Sequence, residues 1–364
     1  VTVLVVRREE LVKNVQIVID AVAPAQVIGV VKGNGYGLGL VQFAKTLLES
    51  GVRMLAVATL MEGVALRRAG VECDILLLSP LQTPDEAALL LEHRIIATVS
   101  SYDSAVMLNG VAEKADDIAR VHIKADTGFG RFGFLENECE KIVSIDKYLK
   151  NISIEGIYSH FHSSFARSGK SVSMQIEAFE RIIDQLEKAG VELPMKHIAN
   201  SCAALRYETA RFDAVRIGSA FLGRLPIENT WQLSKIGVLE DTLYEIRWLP
   251  AHHNVGYGSV YRTKRPTRIA VVQTGYISGL GLERSDTARR PIDILRFIWH
   301  DIKRLMPSAK KYVTVKGQRA PILGRVSMCN MVIDVTDIDC VSGDKAIMQV
   351  NPLMVDSLVP RRYE

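Results

Sequence analysis

"VIGVVKGNGYGLG" (27–39) opens on an apolar, β-branched run that ends in Lys32, and four glycines follow with Tyr36 among them. The run reads as a strand buried on both faces. The glycines read as a turn where the backbone bends sharply or comes close to something. A lysine meant only for solvent needs no such setting; one that touches a small molecule does.

Seven more runs of the same kind follow: "MLAVAT" (54–59), "DILLLSP" (74–80), "RIIATVS" (94–100), "ARVHIKAD" (119–126), "ISIEGIYSHF" (152–161), "MKHIAN" (195–200) and "AVRIGS" (214–219). Helical patterns separate them. In "MQIEAFERIIDQLEKAG" (174–190), Ile176, Phe179, Ile182, Ile183 and Leu186 recur at helical spacing and Gly190 ends the run. Such alternation predicts a (β/α)8 barrel over residues 1–233, with a doubly wound open sheet as the alternative. From 234 to 364 the texture changes. "TRIAVVQTGY", "KYVTVKGQRAPILG" and "MVIDVT" read as strands joined by turns, so a β-rich second domain is expected. One stretch of helical spacing, 289–306, interrupts it.

Composition bounds the function. The 364 residues are 48% hydrophobic and 24% charged with a net charge of +4, an ordinary globular balance. The positive charge is spread along the chain, so no nucleic-acid partner is implied. No stretch approaches the roughly 20 apolar residues that span a bilayer, and none reads as a signal peptide. The five cysteines are scattered without CxxC or Cys/His clustering, so neither a disulfide framework nor a metal site is suggested. A reducing, cytoplasmic setting is expected.

In a barrel, chemistry collects where the strands end. Lys32 closes the first run; Lys124 and Asp126 close the fifth, followed by "TGFGRFG"; His160 ends the sixth. Asn200 and Ser201 follow the seventh, and Arg216, Gly218 and Ser219 lie on or after the eighth. Singly, each has a bland reading as rim, core or turn residue. Together they put a reactive amine, cations and small polar groups at one mouth. A lysine amine held in place can condense with the aldehyde of pyridoxal 5′-phosphate (PLP). Tyr36, Ser201 and the amides near Gly218 and Ser219 could cup its phosphate.

The stretches "VVKGNGYGLG" (30–39), "HIKADTGFGRFGF" (122–134), "EGIYSHF" (155–161), "HIANSCAALRY" (197–207), "VRIGSAFLG" (215–223), "GYGSVY" (256–261), "GYISG" (275–279) and "ILGRVSM" (322–328) run in one order, and that series resembles the alanine racemase family. The resemblance implies a PLP-dependent racemase of a small amino acid, most simply alanine, whose D-product serves peptidoglycan. It implies Lys32 as the PLP lysine and one catalytic base, with Tyr257 as the base on the opposite face. Arg216 would meet the pyridine nitrogen, with His160 linking Arg216 to Tyr257. Tyr36, Asn200, Ser201, Gly218 and Ser219 would complete the cofactor site. Arg131 and the Met328 backbone would meet the substrate, and Lys124 matches a lysine carbamylated in some members. A homodimer with shared active sites is implied as well.

This chain departs from the family pattern at Leu38 (usually histidine), Cys329 (usually aspartate) and Ser357 (usually tyrosine near the substrate entrance), and residues 281–310 look long. The smaller Ser357 leaves serine, or a broader amino-acid set, as an alternative substrate. A PLP-binding regulatory protein of the same barrel type would lack the domain that carries Tyr257. A PLP decarboxylase would set an acid where Arg216 stands.

Overall fold

The computed structural model of the protein describes residues 1–282, 294–295, 297–299, 302 and 311–364. The chain divides into two compact units, Arg8–Ile236 and a second made of Val1–Arg7 with Gly237–Glu364. Strand β1 (Val3–Val6) therefore belongs with the C-terminal residues.

In the first unit, β2 (Gln26–Val30), β3 (Met54–Val57), β4 (Asp74–Pro80), β5 (Ile96–Val99), β6 (Ala119–Lys124), β7 (Ile152–Tyr158), β8 (Lys196–His197) and β9 (Ala214–Ile217) form a closed barrel. Each is one of the eight runs read from the sequence. Closure rests on β2 pairing in parallel with β9, Gln26 opposite Ala214 through Gly29 opposite Ile217. That pairing excludes the open sheet.

The runs are continuously apolar because both faces are covered. Ile28, Val30, Met54, Ala56, Leu76, Ile96 and Ala214 fill the interior, taking alternate positions along neighbouring strands. The other faces meet the helices. Helix Lys170–Lys188 buries Ile176, Phe179, Ile182, Ile183 and Leu186, the stripe its spacing predicted. Burying such a side chain is worth about 1.5–3 kcal/mol each, so five make this helix a firm part of the wall.

The segment after β2 is the least ordinary backbone in the barrel. Gly33, Asn34, Gly35 and Tyr36 all have φ between 53° and 65°, so four successive residues form a turn of left-handed helix. This conformation crowds Cβ against the next carbonyl and is routine only for glycine and, less so, asparagine. Two glycines and an asparagine therefore answer what "GNGY" is for. Asn34 then caps the next helix, its Oδ1 accepting from the Leu40 amide at 2.9 Å.

In the second unit β10 (Val238–Leu249) is the spine. Its first half pairs with β17 (Lys345–Gln349), and after an irregularity between Leu243 and Ile246 its second half pairs with β13 (Thr267–Val272). The change of partner at a bulge lets one long strand serve two stretches of sheet. β11 (Asn254–Val255) and β12 (Tyr261–Arg262) pair with each other as a separate two-stranded ribbon. β14 (Tyr312–Val315) and β15 (Gln318–Leu323) form a hairpin whose two turn residues, Lys316 and Gly317, have φ of 45° and 78°, as a tight hairpin turn requires. β16 (Met331–Asp334) joins β15 to β13. β1 adds antiparallel to β10 and carries β18 (Arg361–Tyr363) in parallel on its far side. Three of these strand regions match the predicted runs; β1 and β10 were not among them. The helical expectation for 289–306 lies mostly outside the described residues. Among the described helices, none is long and apolar enough to cross a membrane.

Two alanine substitutions test the turn. At Gly35 a Cβ would sit 3.0 Å from Phe43 Cβ on a left-handed backbone, so Gly35→Ala should cost about 1–3 kcal/mol. Gly110, inside helix Tyr102–Lys114, has nothing within 4 Å, and Gly110→Ala should gain about 0.5–1 kcal/mol. Urea unfolding midpoints should move in opposite directions.

Candidate active site

The C-terminal ends of the barrel strands surround a cavity of about 380 Å³. Lys32, Tyr36, Lys124, Arg131, His160, Asn200, Ser201, Arg216, Gly218 and Ser219 all line it. Four of these are basic and, among the described residues, no aspartate or glutamate is on the wall, so the cavity is built for anions.

Arg216 is the deepest charge, 4% exposed on β9. Its Nη1 donates to His197 Nδ1 at 2.6 Å and to the His197 carbonyl at 3.1 Å. Its Nη2 donates to the Ser159 carbonyl at 2.6 Å, the Ile198 carbonyl at 3.2 Å and His160 Nδ1 at 3.2 Å. The guanidinium lies 4.9 Å from the Tyr158 ring centroid. Both terminal nitrogens are thus consumed by the barrel, and Nε–H is the donor left for the cavity that Arg216 lines. Burial pulls this guanidinium down to about 10, still protonated at neutral pH.

Arginine cannot accept, and this fixes the tautomers of its neighbours. His197 accepts at Nδ1, so its Nε2 carries the proton and donates to His122 Nδ1 at 2.9 Å. His160 also accepts at Nδ1, so its proton is on Nε2. Burial first, and the Arg216 charge second, hold His160 and His197 well below the ordinary imidazole value and His122 at about 4. All three rings are neutral at pH 7. His197 is stacked on Tyr158, with ring centroids 5.0 Å apart, and the Tyr158 hydroxyl shares a hydrogen bond with Thr98 Oγ1 at 2.8 Å.

Lys32 is reachable from the cavity yet enclosed enough that burial lowers its pKa; Arg131 and Arg216 lower it further, and Glu62 opposes them. Lys124 is more extreme. Burial, then Arg216, bring it down to about 7, against the pull of Asp126. Its Nζ donates to the Ala125 carbonyl at 2.7 Å.

Asp126 is an organiser. Its carboxylate accepts from the amides of Gly128, Phe129, Gly130 and Arg131 at 2.8–3.2 Å, winding "TGFGR" around one side chain. Burial alone would raise its pKa, but the four amides together hold it below the ordinary aspartate value. That loop presents Arg131, which rests on the rings of Phe129 and Phe132 at 4.6 and 4.8 Å.

Between β8 and β9 the cavity narrows to a cup. Ser201 Oγ accepts from the Gly218 amide at 3.1 Å and the Ala220 amide at 3.4 Å, and Asn200 Oδ1 caps helix Ser201–Arg206 through the Ala203 amide. A Cβ on Gly218 would lie 2.3 Å from Tyr36 Oη, so glycine is what lets the phenol reach the cup. Burial raises Tyr36 to about 12, which keeps it a donor. A hydroxyl, a phenol and a backbone without side chain suit a phosphate; the Arg216 Nε–H suits a ring acceptor; Lys32 suits an aldehyde. The residues present fit PLP.

Tyr257 and Met328 lie in the second unit. Tyr257 begins a short turn between Gly256 and Gly258, both with positive φ, and its side chain is 72% exposed. Met328 is 52% exposed, and its carbonyl accepts from the Ile277 amide at 3.1 Å. Cys329 and Ser357 are exposed there, while Leu38 is buried in the barrel unit.

Sequence reasoning passed over Tyr158, His197, His122 and Glu62. A T-x-x-E signature at Thr59–Glu62 marked Glu62 as a helix-capping residue. For His197 and Tyr158 the signal was only their place in strand-end runs.

Comparison with known proteins shows the family. Residues 6–226 match the family model described as alanine racemase, N-terminal domain, and residues 238–354 match alanine racemase, C-terminal domain. The alanine racemase of Clostridium novyi is 32% identical over 358 residues, covering 96% of this chain and 86% of that protein. That of Halothermothrix orenii is 33% identical over 327 residues, covering 89% and 80%. Among solved structures, alanine racemase of Clostridium difficile 630 superposes with a TM-score of 0.87 at 25% identity, covering 100% and 95%. Alanine racemase from Bacillus anthracis with bound L-Ala-P gives 0.82 at 26% identity, covering 100% and 95%.

The lowered pKa of Lys124 has a stability signature. The unfolded chain holds this proton up to about 10.5, the folded chain only to about 7, so folding gains stability as pH rises between those values. Lys124→Met removes that component. Urea midpoints should climb from pH 7 to 9 more steeply in the wild type than in Lys124→Met.

Proposed function

The chain belongs to the alanine racemase family, and from that membership we propose that it interconverts L- and D-alanine with PLP as coenzyme, through Lys32 and Tyr257 as opposed bases. The observation that carries the site assignment is Arg216, a buried cation with Nε–H left for the cavity wall it shares with Lys32.

Lys32 would attach the coenzyme, Tyr36, Ser201, Gly218 and Ser219 would hold its phosphate with Asn200 bracing the cup, and Arg216 would donate to its ring nitrogen. When bound, PLP withdraws electrons and spreads the negative charge left at the substrate α-carbon once its proton is removed. Arg216 would keep its own proton against the much weaker base of the pyridine nitrogen and give that nitrogen only a hydrogen bond, so the ring would stay unprotonated, which keeps that withdrawal moderate and disfavours transfer of the amino group. The lowered pKa of Lys32 supports its role as a base that takes the α-proton on one face and returns it. Tyr257 would do the same on the other face, and His160, which accepts from Arg216, would support it. Arg131 meets the substrate carboxylate, and the Met328 backbone meets the same group. The near-neutral amine of Lys124 is a fit nucleophile for carbon dioxide; as a carbamate it would supply the anion that Arg131 otherwise lacks.

Exposure of Tyr257 and Met328 supports a homodimer in which each site takes Lys32 from one chain and the partner's Tyr257.

With PLP and L-alanine the protein should produce D-alanine by chiral chromatography, and borohydride should fix the coenzyme to the peptide containing Lys32. A PLP-loaded protein that leaves L-alanine unchanged would refute the reaction. Tyr257→Phe should lower kcat by about 10²–10⁴-fold.

Shared sites are tested by mixing Lys32→Ala with Tyr257→Phe. Random exchange makes about half the dimers mixed, and one site of each mixed dimer is intact, so about a quarter of all sites should recover. No recovery, with exchange demonstrated separately, would rule out sharing.

A further inference from the structure

Lys32 sits at the start of the left-handed turn, whose own backbone bonds run from the Gly35 amide to Val31 and from the Gly37 amide to Gly33 and Asn34. The amides of Gly33 and Asn34 are both spent on one side chain: Glu62 Oε1 accepts from them at 2.7 and 3.4 Å. The other oxygen, Oε2, accepts from the amides of Ala58 and Thr59 at 3.0 and 3.2 Å, just past the end of β3.

Helix capping explains only part of this. Glu62 is the third residue of helix Leu60–Arg68, and the capping box with Thr59 accounts for the bond to the Thr59 amide. It does not call for two further amides 28 and 29 residues upstream. Those bonds tie the first barrel strand end to the second, directly behind the reactive lysine. The arrangement uses both oxygens of a carboxylate, each facing a pair of donors. Glutamine cannot reproduce it, because its amide nitrogen would turn a donor toward one of the pairs.

We propose that Glu62 is the positioning residue for Lys32: its carboxylate clamps the left-handed turn to the neighbouring strand end and so holds the amine at the cavity wall. The charge acts in the same place. Glu62 raises the Lys32 pKa against burial, Arg131 and Arg216, while Lys124 and His160 share the cavity. The role in loading the coenzyme rests on reading Lys32 as the PLP lysine; the clamp does not.

Two measurements on the full-length chain test this. The first is hydrogen exchange of the PLP-loaded protein. In the wild type the Gly33 and Asn34 amides should exchange at least about tenfold more slowly than open amides. Open-amide rates there would overturn the proposal without any variant. Glu62→Gln should speed these two amides about tenfold, whereas Thr59→Ala, which breaks the other half of the capping box and leaves Glu62, should not. Equal acceleration in both variants would assign the effect to helix fraying and refute the clamp. The second is the pH dependence of PLP attachment, trapped by borohydride and mapped by peptide. Removing the negative charge should move the Lys32 midpoint to lower pH in Glu62→Gln. An unmoved midpoint would overturn the positioning role. A trapped label on a different lysine would refute the coenzyme reading of Lys32 itself, and with it the loading role, whatever the exchange result.

Discussion

A buried guanidinium with no carboxylate beside it is the constraint that the mouth of the barrel answers. Among the described residues, the hydrogen-bond partners of Arg216 are three carbonyls and two imidazoles, all neutral. Uncompensated charge in a barrel is costly. Burial first, and the Arg216 charge after, act on each neighbour: His160 and His197 are held neutral, with the tautomer fixed by Arg216, and Lys32 and Lys124 lose protons more readily than ordinary lysines. A carboxylate next to Arg216 would stabilise the barrel, but it would also quench the field that adds to burial in lowering both amines.

Much of the barrel was legible because burial on both faces leaves no polar position to blur a strand. "MLAV" and "IATV" are buried at every residue, and nothing but an interior strand or a helix core reads that way. β10 was not legible for the opposite reason. "VLEDTLYEIRWL" mixes acids with apolar residues because its exposed faces change along its length and its partners change at a bulge. β1 hid at the chain start, paired to residues more than two hundred positions away.

For the site, the polar residues at strand ends were legible and their wiring was not. His122 and His197 are 75 residues apart, and Thr98 and Tyr158 are 60 apart; no local spacing announces such pairs. Glycines in "GNGY" were read as permission for close approach. Their larger service is conformational, a left-handed turn that a chain of ordinary residues would resist. Asp126 was read as one more mouth residue, yet its carboxylate faces its own loop and acts by shaping the backbone that carries Arg131.

Charge bookkeeping links these parts to the ligand. Among the described residues, Lys32, Lys124, Arg131 and Arg216 share one wall without an acid, and burial, with the two guanidinium charges after it, makes both lysines give up protons more readily. A ligand that brings a phosphate reverses the balance, because a nearby anion favours the charged form of each amine. Binding then draws protons from solvent at pH above about 7, where Lys124 is largely neutral, and tightens as pH falls toward that value. Conversion of Lys124 to a carbamate would end this uptake at its source, since the anion would already be in the wall beside Arg131. The same lysine can thus meet an excess of positive charge in two ways, by giving up a proton or by taking on carbon dioxide. Its burial at the end of β6, with the Ala125 carbonyl accepting from it, leaves the amine open to either.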